Sequence, residues 1–263
     1  MSDSSGGHPS SHSPQQSPNK RPSPAEQGPY SATYPVYADL PTDEVCYGPD
    51  IPTEAEFRLL GDIEGRRVLV LGAGRGQTAV AMAAQGAHVV VVDPNADSLA
   101  EARALAEELE LRIEVHETDL ADLAFLRADS VDIVFSAYSL ATVPDLDRGF
   151  RQAHRVLKSG GPLVFSLPHP AFAMVDPASS DPLRIRRSYW DTTPRPFEVD
   201  AHQGADHPHT IHDLFGGLQR ANFHVDTILE PAPDDEGPRS EYHSEIMRWV
   251  PATLVMRARK QGI

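Results

Sequence analysis

Short apolar runs alternate along the chain with longer stretches whose apolar positions recur at helical spacing. Residues 68–71 (VLVL) and 88–93 (HVVVVD) are aliphatic and β-branched, which is typical of strands covered on both faces. Residues 78–86 (TAVAMAAQG) and 97–110 (DSLAEARALAEELE) have the composition and period of helices. Strands that alternate with helices of this length predict parallel strands joined by right-handed crossovers.

The same alternation continues to the end of the chain. Glu56 stands three residues after Thr53, which predicts an early helix over EAEFRLL with Thr53 as its N-cap. The pattern breaks between Pro168 and about His209, where coil-forming residues predominate. Further strands are predicted at 113–119, 131–137, 162–167, 223–231 and 247–259, and further helices at 145–157 and 210–222. The pattern therefore predicts one doubly wound α/β domain with seven strands.

The first 44 residues differ from the rest of the chain. They are rich in Ser, Pro, Gln and Gly, as in SSHSPQQSPNKRPSP. Such a segment buries too little apolar surface to offset the entropy lost on ordering. We therefore expect a disordered tail over residues 1–44 and one folded domain over residues 45–263. A regulatory tail, or a lid over the site, is the functional alternative.

Charge and composition narrow the possible partners. The formal net charge is −15, so a polyanion such as nucleic acid is repelled at long range unless a local basic patch overrides it. The single cysteine, Cys46, excludes an internal disulfide framework. No apolar run approaches the ~20 residues needed to span a bilayer, and the N-terminus lacks the order of a secretory signal. We expect a soluble, cytoplasmic protein that acts on a small molecule; the sequence does not indicate its oligomeric state.

A glycine-rich turn follows the first strand and an acid ends the second. Gly72, Gly74 and Gly76 stand where an open α/β sheet binds ligands, and glycine lets the backbone approach a ligand closely. Asp93 is placed to accept hydrogen bonds from ribose hydroxyls. Gln77 occupies the position where the dinucleotide fingerprint has its third glycine or alanine, so the turn favours a nucleoside without a pyrophosphate. The alternatives are a turn that serves only strand–helix packing and an aspartate that only caps a helix.

Four segments resemble the class I S-adenosylmethionine-dependent methyltransferases in order and spacing: VLVLGAGRGQ, VVVVDPN, ETDLADLAF and HRVLKSGGPLVFSLPHP. The resemblance covers roughly residues 45 to 260. YGPDIPTEAEFRLLG is also similar to the segment before the glycine loop in a group of actinobacterial methyltransferases of uncertain substrate. The resemblance implies a Rossmann-like, mostly parallel seven-stranded sheet with an antiparallel last strand, and S-adenosyl-L-methionine as the cofactor.

The resemblance also implies how the cofactor is held. The glycine loop wraps the methionine part, the acid ending the second strand holds the ribose, and the acid after the third strand contacts the adenine amino group. Residues that end the fourth strand line the methyl-transfer site. The implied cofactor-binding residues are Gly72, Ala73, Gly74, Gly76, Gln77, Asp93, Pro94, Asp119, Leu120 and Ser136.

One position departs from the family pattern. Many members have Glu or Asp two residues before the first glycine, where this chain has Val70. The methionine amino group then has to rely on backbone carbonyls or water. Val70 and the long tail favour one alternative, a cofactor-binding scaffold or regulator without catalysis. A second alternative, an NAD(P)-dependent oxidoreductase, is disfavoured by Gln77 and the LKSGG turn.

Two histidines are the candidates for acid–base chemistry. Many such enzymes need no base, because holding the acceptor in line already supplies much of the rate enhancement, but a hydroxyl acceptor is usually helped by a histidine. His169 directly follows the fifth strand, and His209 enters the helix before the sixth. The structural alternatives are a loop histidine bonded to backbone and a turn in which Thr210 caps the helix. No Cys–His or HExxH spacing indicates a metal site.

The segment 168–209 is predicted to be an insertion or lid on the acceptor side. Its part LRIRRSYWDTTPRPF, residues 183–197, is a basic and aromatic cluster. One interpretation is a mobile lid whose aromatic residues pack on the domain. The other is an acceptor-binding wall with arginines against a carboxylate or phosphate. The arginines are Arg184, Arg186, Arg187 and Arg195, and the aromatic residues are Tyr189, Trp190 and Phe197.

Overall fold

The protein is described by a computed structural model. The described residues are 40–176, 181, 183–199, 202–233, 239–240 and 243–262. The predicted tail, residues 1–44, lies outside these ranges as far as residue 39. All structural statements below concern the described residues.

A seven-stranded sheet with the order β3-β2-β1-β4-β5-β9-β8 forms the centre of the domain. Strands β1 to β5 are parallel, and β9 lies antiparallel between β5 and β8. The predicted fold, mostly parallel with an antiparallel last strand, is confirmed. The strands of this sheet are β1 (Arg67–Leu71), β2 (His88–Asp93), β3 (Ile113–Glu117), β4 (Ile133–Ala137), β5 (Pro162–Pro168), β8 (Phe223–Leu229) and β9 (Thr253–Lys260). The remaining two strands, β6 (Arg195–Val199) and β7 (His202–Asp206), form a separate hairpin.

The helices follow the strands in the predicted alternation. They are α1 (Glu54–Phe57), α2 (Gln77–Ala84), α3 (Ala96–Glu108), α4 (Leu146–Val156) and α5 (Ile211–Arg220), with 3-10 turns at Ser139–Thr142, Phe172–Met174 and Glu245–Arg248. Within the described ranges, no helix combines the length and apolar character needed to cross a membrane.

The central strands are buried on both faces because their side chains alternate between two apolar layers. Leu69 and Leu71 of β1 belong to the layer that α4 and α5 cover. Val68 and Val70 belong to the layer covered by α2, α3 and the segment 45–63. This two-sided burial explains the continuous apolar runs in the sequence. Because β1 to β5 are parallel, their carboxyl ends lie along one edge of the sheet.

The early helix is shorter than predicted. It ends at Phe57, because Arg58 adopts a left-handed conformation with φ of 49°. Thr53 is the N-cap residue, as predicted, but its side chain makes no capping hydrogen bond. The carboxylate of Glu54 instead accepts the amides of Leu59 at 3.0 Å and Leu60 at 2.7 Å, which gives this backbone partners outside a helix.

The last strand starts later than predicted, and the coil-rich segment contains structure that the sequence pattern does not predict. The last strand begins at Thr253 rather than 247, because Pro251 has no amide hydrogen to donate to a sheet. The segment 168–209 is not only coil, since it contains a 3-10 turn and the β6–β7 hairpin. Only β6 has a short apolar alternation, at Phe197 and Val199, whereas β7 (HQGAD) has none. The hairpin docks through the amide of His207, which donates to the Ala141 carbonyl at 2.7 Å.

Candidate functional site

The glycine loop leaves the end of β1 and packs against the turn that follows β4. Gly72 has φ of 96°, and its amide donates to the carbonyl of Val92 at 2.8 Å. A β-carbon on Gly72 would lie 1.9 Å from Oγ of Ser139, so no side chain fits there. The loop therefore packs directly against the turn after β4, at a position that only glycine can occupy.

Gly76 has a different role from Gly72. It has φ of 92°, and a β-carbon there would lie 2.6 Å from the Cα atom of Ala102 on α3. Close helix packing, one of the two interpretations of the glycine turn, accounts for this position. Gln77 begins α2 and is buried beside it.

Asp93 orders the glycine loop as well as the end of its own strand. Its Oδ2 atom accepts the amide of Ala73 at 2.7 Å, and its Oδ1 atom accepts the amide of Asn95 at 2.8 Å. A carboxylate offers about four acceptor sites, so one group can bind the loop and also receive a ligand hydroxyl. The side chain of Asn95 in turn accepts the amide of Ser98 and caps α3, so the predicted alternative in which Asp93 is only the cap does not apply.

The remaining predicted cofactor residues lie near the same edge in different environments. Pro94 is exposed directly after β2, and Asp119 is exposed after β3 with its Oδ1 atom accepting the amide of Ala121 at 2.7 Å. Leu120 is buried in the apolar layer under α4 and α5. Ser136 is fully buried, and its hydroxyl donates to the carbonyl of Leu71 at 3.0 Å, which ties β4 to the start of the glycine loop.

This arrangement suits a nucleoside ligand. Three features lie at the neighbouring ends of β1, β2 and β3. They are the glycine loop, the carboxylate of Asp93 and the carboxylate of Asp119. The amide of Thr118 donates to the carbonyl of Asp93 at 3.2 Å, which brings the turn carrying Asp119 against the end of β2. In the described ranges, no group of three or more His, Cys, Asp or Glu residues is arranged to hold a metal ion.

His169 is enclosed, and both of its ring nitrogens have partners. Its Nδ1 atom accepts the amide of Ala171 at 3.0 Å, so Nε2 carries the proton and donates to Oε1 of Glu230 at 2.7 Å. Burial lowers the pKa of the imidazole, although the carboxylate of Glu230 opposes this shift. A base at this position has to break one of the two contacts first.

His209 is also withdrawn from solvent, but its ring is not saturated. Its Nε2 atom is buried and meets no hydrogen-bond partner in the described part of the chain. Burial lowers the pKa of this imidazole too, against the opposing charge of Asp213. The following Thr210 forms a capping box with Asp213 at the start of α5, so the predicted capping turn is present next to the histidine.

The aromatic residues near the site divide into buried and exposed groups. Phe135, Tyr138 and Phe172 are fully buried and belong to the core. Trp190 is 79% exposed, so it does not pack on the domain as a lid residue would. Tyr189 is anchored, because its hydroxyl accepts the amide of Ile211 at the first turn of α5 at 3.2 Å.

Two features of this edge are not among the predictions from the sequence. Ser139, which packs on Gly72, lies two residues after β4, and its position after a strand at the ligand edge is a signal that the sequence contains. Asp50 accepts the amide of Ser240 at 2.6 Å and its hydroxyl at 2.7 Å, which links the segment before α1 to the loop before β9. No local pattern reveals a contact between residues 190 positions apart.

Comparison with known proteins gives matches that agree with one another. A family model described as a methyltransferase domain matches residues 68–161. A solved structure of an S-adenosylmethionine-dependent methyltransferase from Mesorhizobium loti is 30% identical, with a TM-score of 0.64, and the match covers 78% of this chain and 96% of that one.

Curated relatives match over a shorter range. A ubiquinone biosynthesis O-methyltransferase of Alkalilimnicola ehrlichii is 35% identical over 107 residues, which are 41% of this chain and 43% of that protein. A demethylmenaquinone methyltransferase of Clavibacter sepedonicus is 37% identical over 117 residues, 43% of this chain and 47% of that protein. The chain therefore spans less than half the length of these two relatives.

Proposed function

The chain belongs to the S-adenosylmethionine-dependent methyltransferase family, and from that premise we propose that it transfers the methyl group of this cofactor to an O, N or C centre of a small-molecule acceptor. The observation that carries the proposal is the contact of the Asp93 carboxylate with the amide of Ala73. This contact joins the acid at the end of β2 to the glycine loop at the end of β1. Both groups are thereby preorganised for one ligand that needs both of them.

The residues present fit the cofactor. We propose that the backbone of the glycine loop lies against the methionine part, since Gly72, Gly74 and Gly76 all have positive φ and carry no side chain. The Asp93 carboxylate is placed for the ribose hydroxyls, and Asp119, exposed one strand away, for the adenine amino group. Val70 is buried in the core, so the amino group of the methionine part relies on backbone carbonyls or water.

The chain's own contribution to the reaction is orientation and the exclusion of water. When bound, S-adenosylmethionine supplies an activated methyl group on a positively charged sulfur. The buried end of β4, with Ser136 and Ala137, forms a dry floor beside the glycine loop. Holding the acceptor in line at contact distance can provide about 7–11 kcal/mol of the barrier reduction.

For a hydroxyl acceptor we propose His209 rather than His169 as the general base. The Nε2 atom of His209 is buried and has no described partner, whereas both ring nitrogens of His169 are engaged. Burial lowers the pKa of His209, which keeps the ring neutral and able to accept a proton at pH 7.

The class of acceptor is supported by charge and by the relatives. The names of the two curated relatives refer to ubiquinone biosynthesis and to demethylmenaquinone, which are small-molecule chemistries. A net charge of −15 disfavours nucleic acid as the acceptor. A cytoplasmic location is part of the proposal, and the single, unpaired and buried Cys46 is compatible with a reducing compartment.

Two measurements on the purified protein test this function. Isothermal titration with S-adenosylmethionine, S-adenosylhomocysteine and NADH is expected to give binding of the first two only. Incubation with methyl-labelled cofactor and a bacterial metabolite extract is expected to put the label on a small molecule. Binding without any transfer would make the protein a scaffold, and selective binding of NADH would make it an oxidoreductase.

Asp93→Ala is expected to weaken S-adenosylhomocysteine binding by about 1–3 kcal/mol, because it removes a charge-assisted ribose contact. It also releases the amide of Ala73. The matched control is Asp97→Asn, a change at an exposed acid in the first turn of α3 that touches neither the loop nor the strand end. Titration calorimetry with both variants is the measurement, and equal affinity for them contradicts the site assignment.

A further inference from the structure

The segment that carries the arginines is fixed over the edge of the sheet where the proposed acceptor binds. The amides of Arg186 and Arg187 both donate to the carbonyl of Met174, at 2.8 and 3.2 Å. At its other end, the hairpin is held by the bond from His207 to Ala141, in the turn that also contains Ser139. That turn touches the glycine loop, so the hairpin stands next to the proposed methyl-transfer site.

Arg195, the first residue of β6, is partly buried, and it forms no ion pair with another described residue. Its Nε atom is buried and meets no hydrogen-bond acceptor in the described part of the chain. Arginine keeps its charge in proteins, so it cannot relieve this burial by losing a proton. A buried, charged donor without an acceptor is destabilising. One hydrogen bond of the Arg195 guanidinium is therefore unformed within the described part of the chain.

Arg187 increases the local positive charge. Burial first, and then the charge of Arg187, lower the pKa of the Arg195 guanidinium. Asp191 and Asp206 oppose this shift, and Asp206 lies opposite Arg195 in the register of the hairpin. Residues 183–197 contain four arginines and one acid in a chain whose net charge is −15.

We propose that Arg187 and Arg195 bind an anionic group, a carboxylate or a phosphate, on the methyl acceptor. The acceptor is then an organic acid or phosphate ester rather than a neutral molecule, and this inference rests on the proposed function. A planar guanidinium presents two parallel donors to such a group, and the second arginine supplies the charge that one buried cation lacks.

The position of the hairpin gives the anionic group an orienting function. The residue after the hairpin, His207, contacts Ala141 in the turn after β4, and Gly72 of the glycine loop packs on Ser139 in the same turn. An anion held by the arginines fixes one end of the acceptor, so that its other end points towards the edge where Gly72 and Ser136 lie. Binding energy far from the reacting atom is in this way used to orient the nucleophile.

The test uses small probes that differ only in charge. Benzoate, phenyl phosphate and the neutral isostere benzamide are titrated into the full-length protein saturated with S-adenosylhomocysteine, in a low-salt buffer, with binding followed by NMR. We expect at least one anion to bind about tenfold or more tightly than benzamide. The better of the two anions identifies the group as a carboxylate or a phosphate.

Three variants attribute the preference to the proposed residues. Arg195→Gln and Arg187→Gln are expected to abolish the preference for the anion, while both leave S-adenosylhomocysteine affinity unchanged. Arg184→Gln is the matched control, because Arg184 is exposed on the same segment and does not act on Arg195. It is expected to behave like the wild-type protein.

The outcomes separate this inference from the proposed function. If the wild-type protein binds the cofactor product but none of the anions better than benzamide, the acceptor inference is wrong and the methyltransferase proposal stands. An anion preference that survives Arg195→Gln also overturns it. If S-adenosylhomocysteine itself does not bind, the proposed function fails, and anion binding by the arginines is then measured without it.

Discussion

His169 and His209 are both predicted candidates for acid–base chemistry, but their rings have different partners in the fold. The ring of His169 joins Ala171 to Glu230, a link between the residue after β5 and the residue after β8. The ring of His209 leaves Nε2 buried without a described partner. The first arrangement links two strand ends at the edge of the sheet, and the second leaves one ring nitrogen without a described partner.

His209→Gln is expected to lower kcat for a hydroxyl acceptor by about 10²-fold, the lower end of what a general base contributes. Cofactor affinity is expected to stay unchanged. His169→Gln is expected to lower thermal stability and to leave kcat within a few-fold of wild type. Single-turnover methyl transfer and thermal unfolding of both variants are the measurements; wild-type kcat for His209→Gln contradicts the assignment.

The pH profile gives a second check on the same residue. Only the neutral imidazole accepts a proton, so the rate falls as pH drops through the pKa of His209. Burial lowers that pKa from its ordinary value of 6.5, so the acid limb of the profile lies below that value. The His209→Gln variant is expected to lose this limb.

At the scale of residues, the sequence predicts positions better than contacts. Asp93 lies at the end of its strand as predicted, because the length of an apolar run and its terminal acid are local features. Its bond to Ala73 depends on the register of two neighbouring strands. The link between Asp50 and Ser240 depends on the whole chain having folded.

At the scale of elements, the packing of α2 on α3 depends on the absence of one side chain. Gly76 takes a left-handed conformation just before α2, and the backbone of Ala102 on α3 occupies the space where its β-carbon would be. The glycine therefore fixes both the turn out of the glycine loop and the distance between the two helices.

Gly76→Ala is compared with Gly160→Ala to separate these two effects. Gly160 has φ of 76° with nothing within 4 Å of its would-be β-carbon, so its replacement costs only the left-handed backbone, about 1–2 kcal/mol. Gly76→Ala adds a clash with backbone and is expected to cost at least about twice as much. Urea unfolding gives both values, and equal costs would contradict the packing role.

Elements with a strong apolar period were predicted well, and those without one were not. The strands of the main sheet were found because their two-sided burial is written in the composition. The β6–β7 hairpin has only a three-residue apolar alternation in β6 and none in β7, and the bond from His207 to Ala141 that holds it next to the sheet is not visible in the local sequence. The first helix ends earlier than predicted, before Arg58, and the last strand begins later than predicted, after Pro251.

At the scale of the whole molecule, three withdrawn histidines couple stability to pH. Burial is the main cause that lowers the pKa of His154, His169 and His209. The unfolded chain therefore binds more protons than the folded chain below pH 6.5, the ordinary value. The three neutral rings contribute fully to the free energy of unfolding above pH 6.5. This contribution is lost as the pH falls from there through the lowered pKa values.

The free energy of unfolding is accordingly expected to be lower at about pH 5.5 than at about pH 7.5. Urea unfolding at the two values measures it. His154→Gln serves as a probe away from the site, since its ring packs edge-to-face on Phe223 with 5.3 Å between centroids. This variant is expected to show a weaker pH dependence, and equal urea midpoints for the wild-type protein at both values contradict the coupling.

The placement of β9 between β5 and β8 has a consequence for how such a protein diversifies. The stretch from residue 169 to residue 210 leaves β5 and returns to α5, and β9 fastens β5 to β8, the strand that follows α5. A doubling in length of such an excursion costs only about 0.6 kcal/mol in closure entropy. Every residue that we propose for the cofactor precedes residue 140, whereas the proposed arginine pair belongs to this later excursion. On these assignments, exchanging one contiguous segment changes the acceptor and leaves the residues for the methyl donor intact.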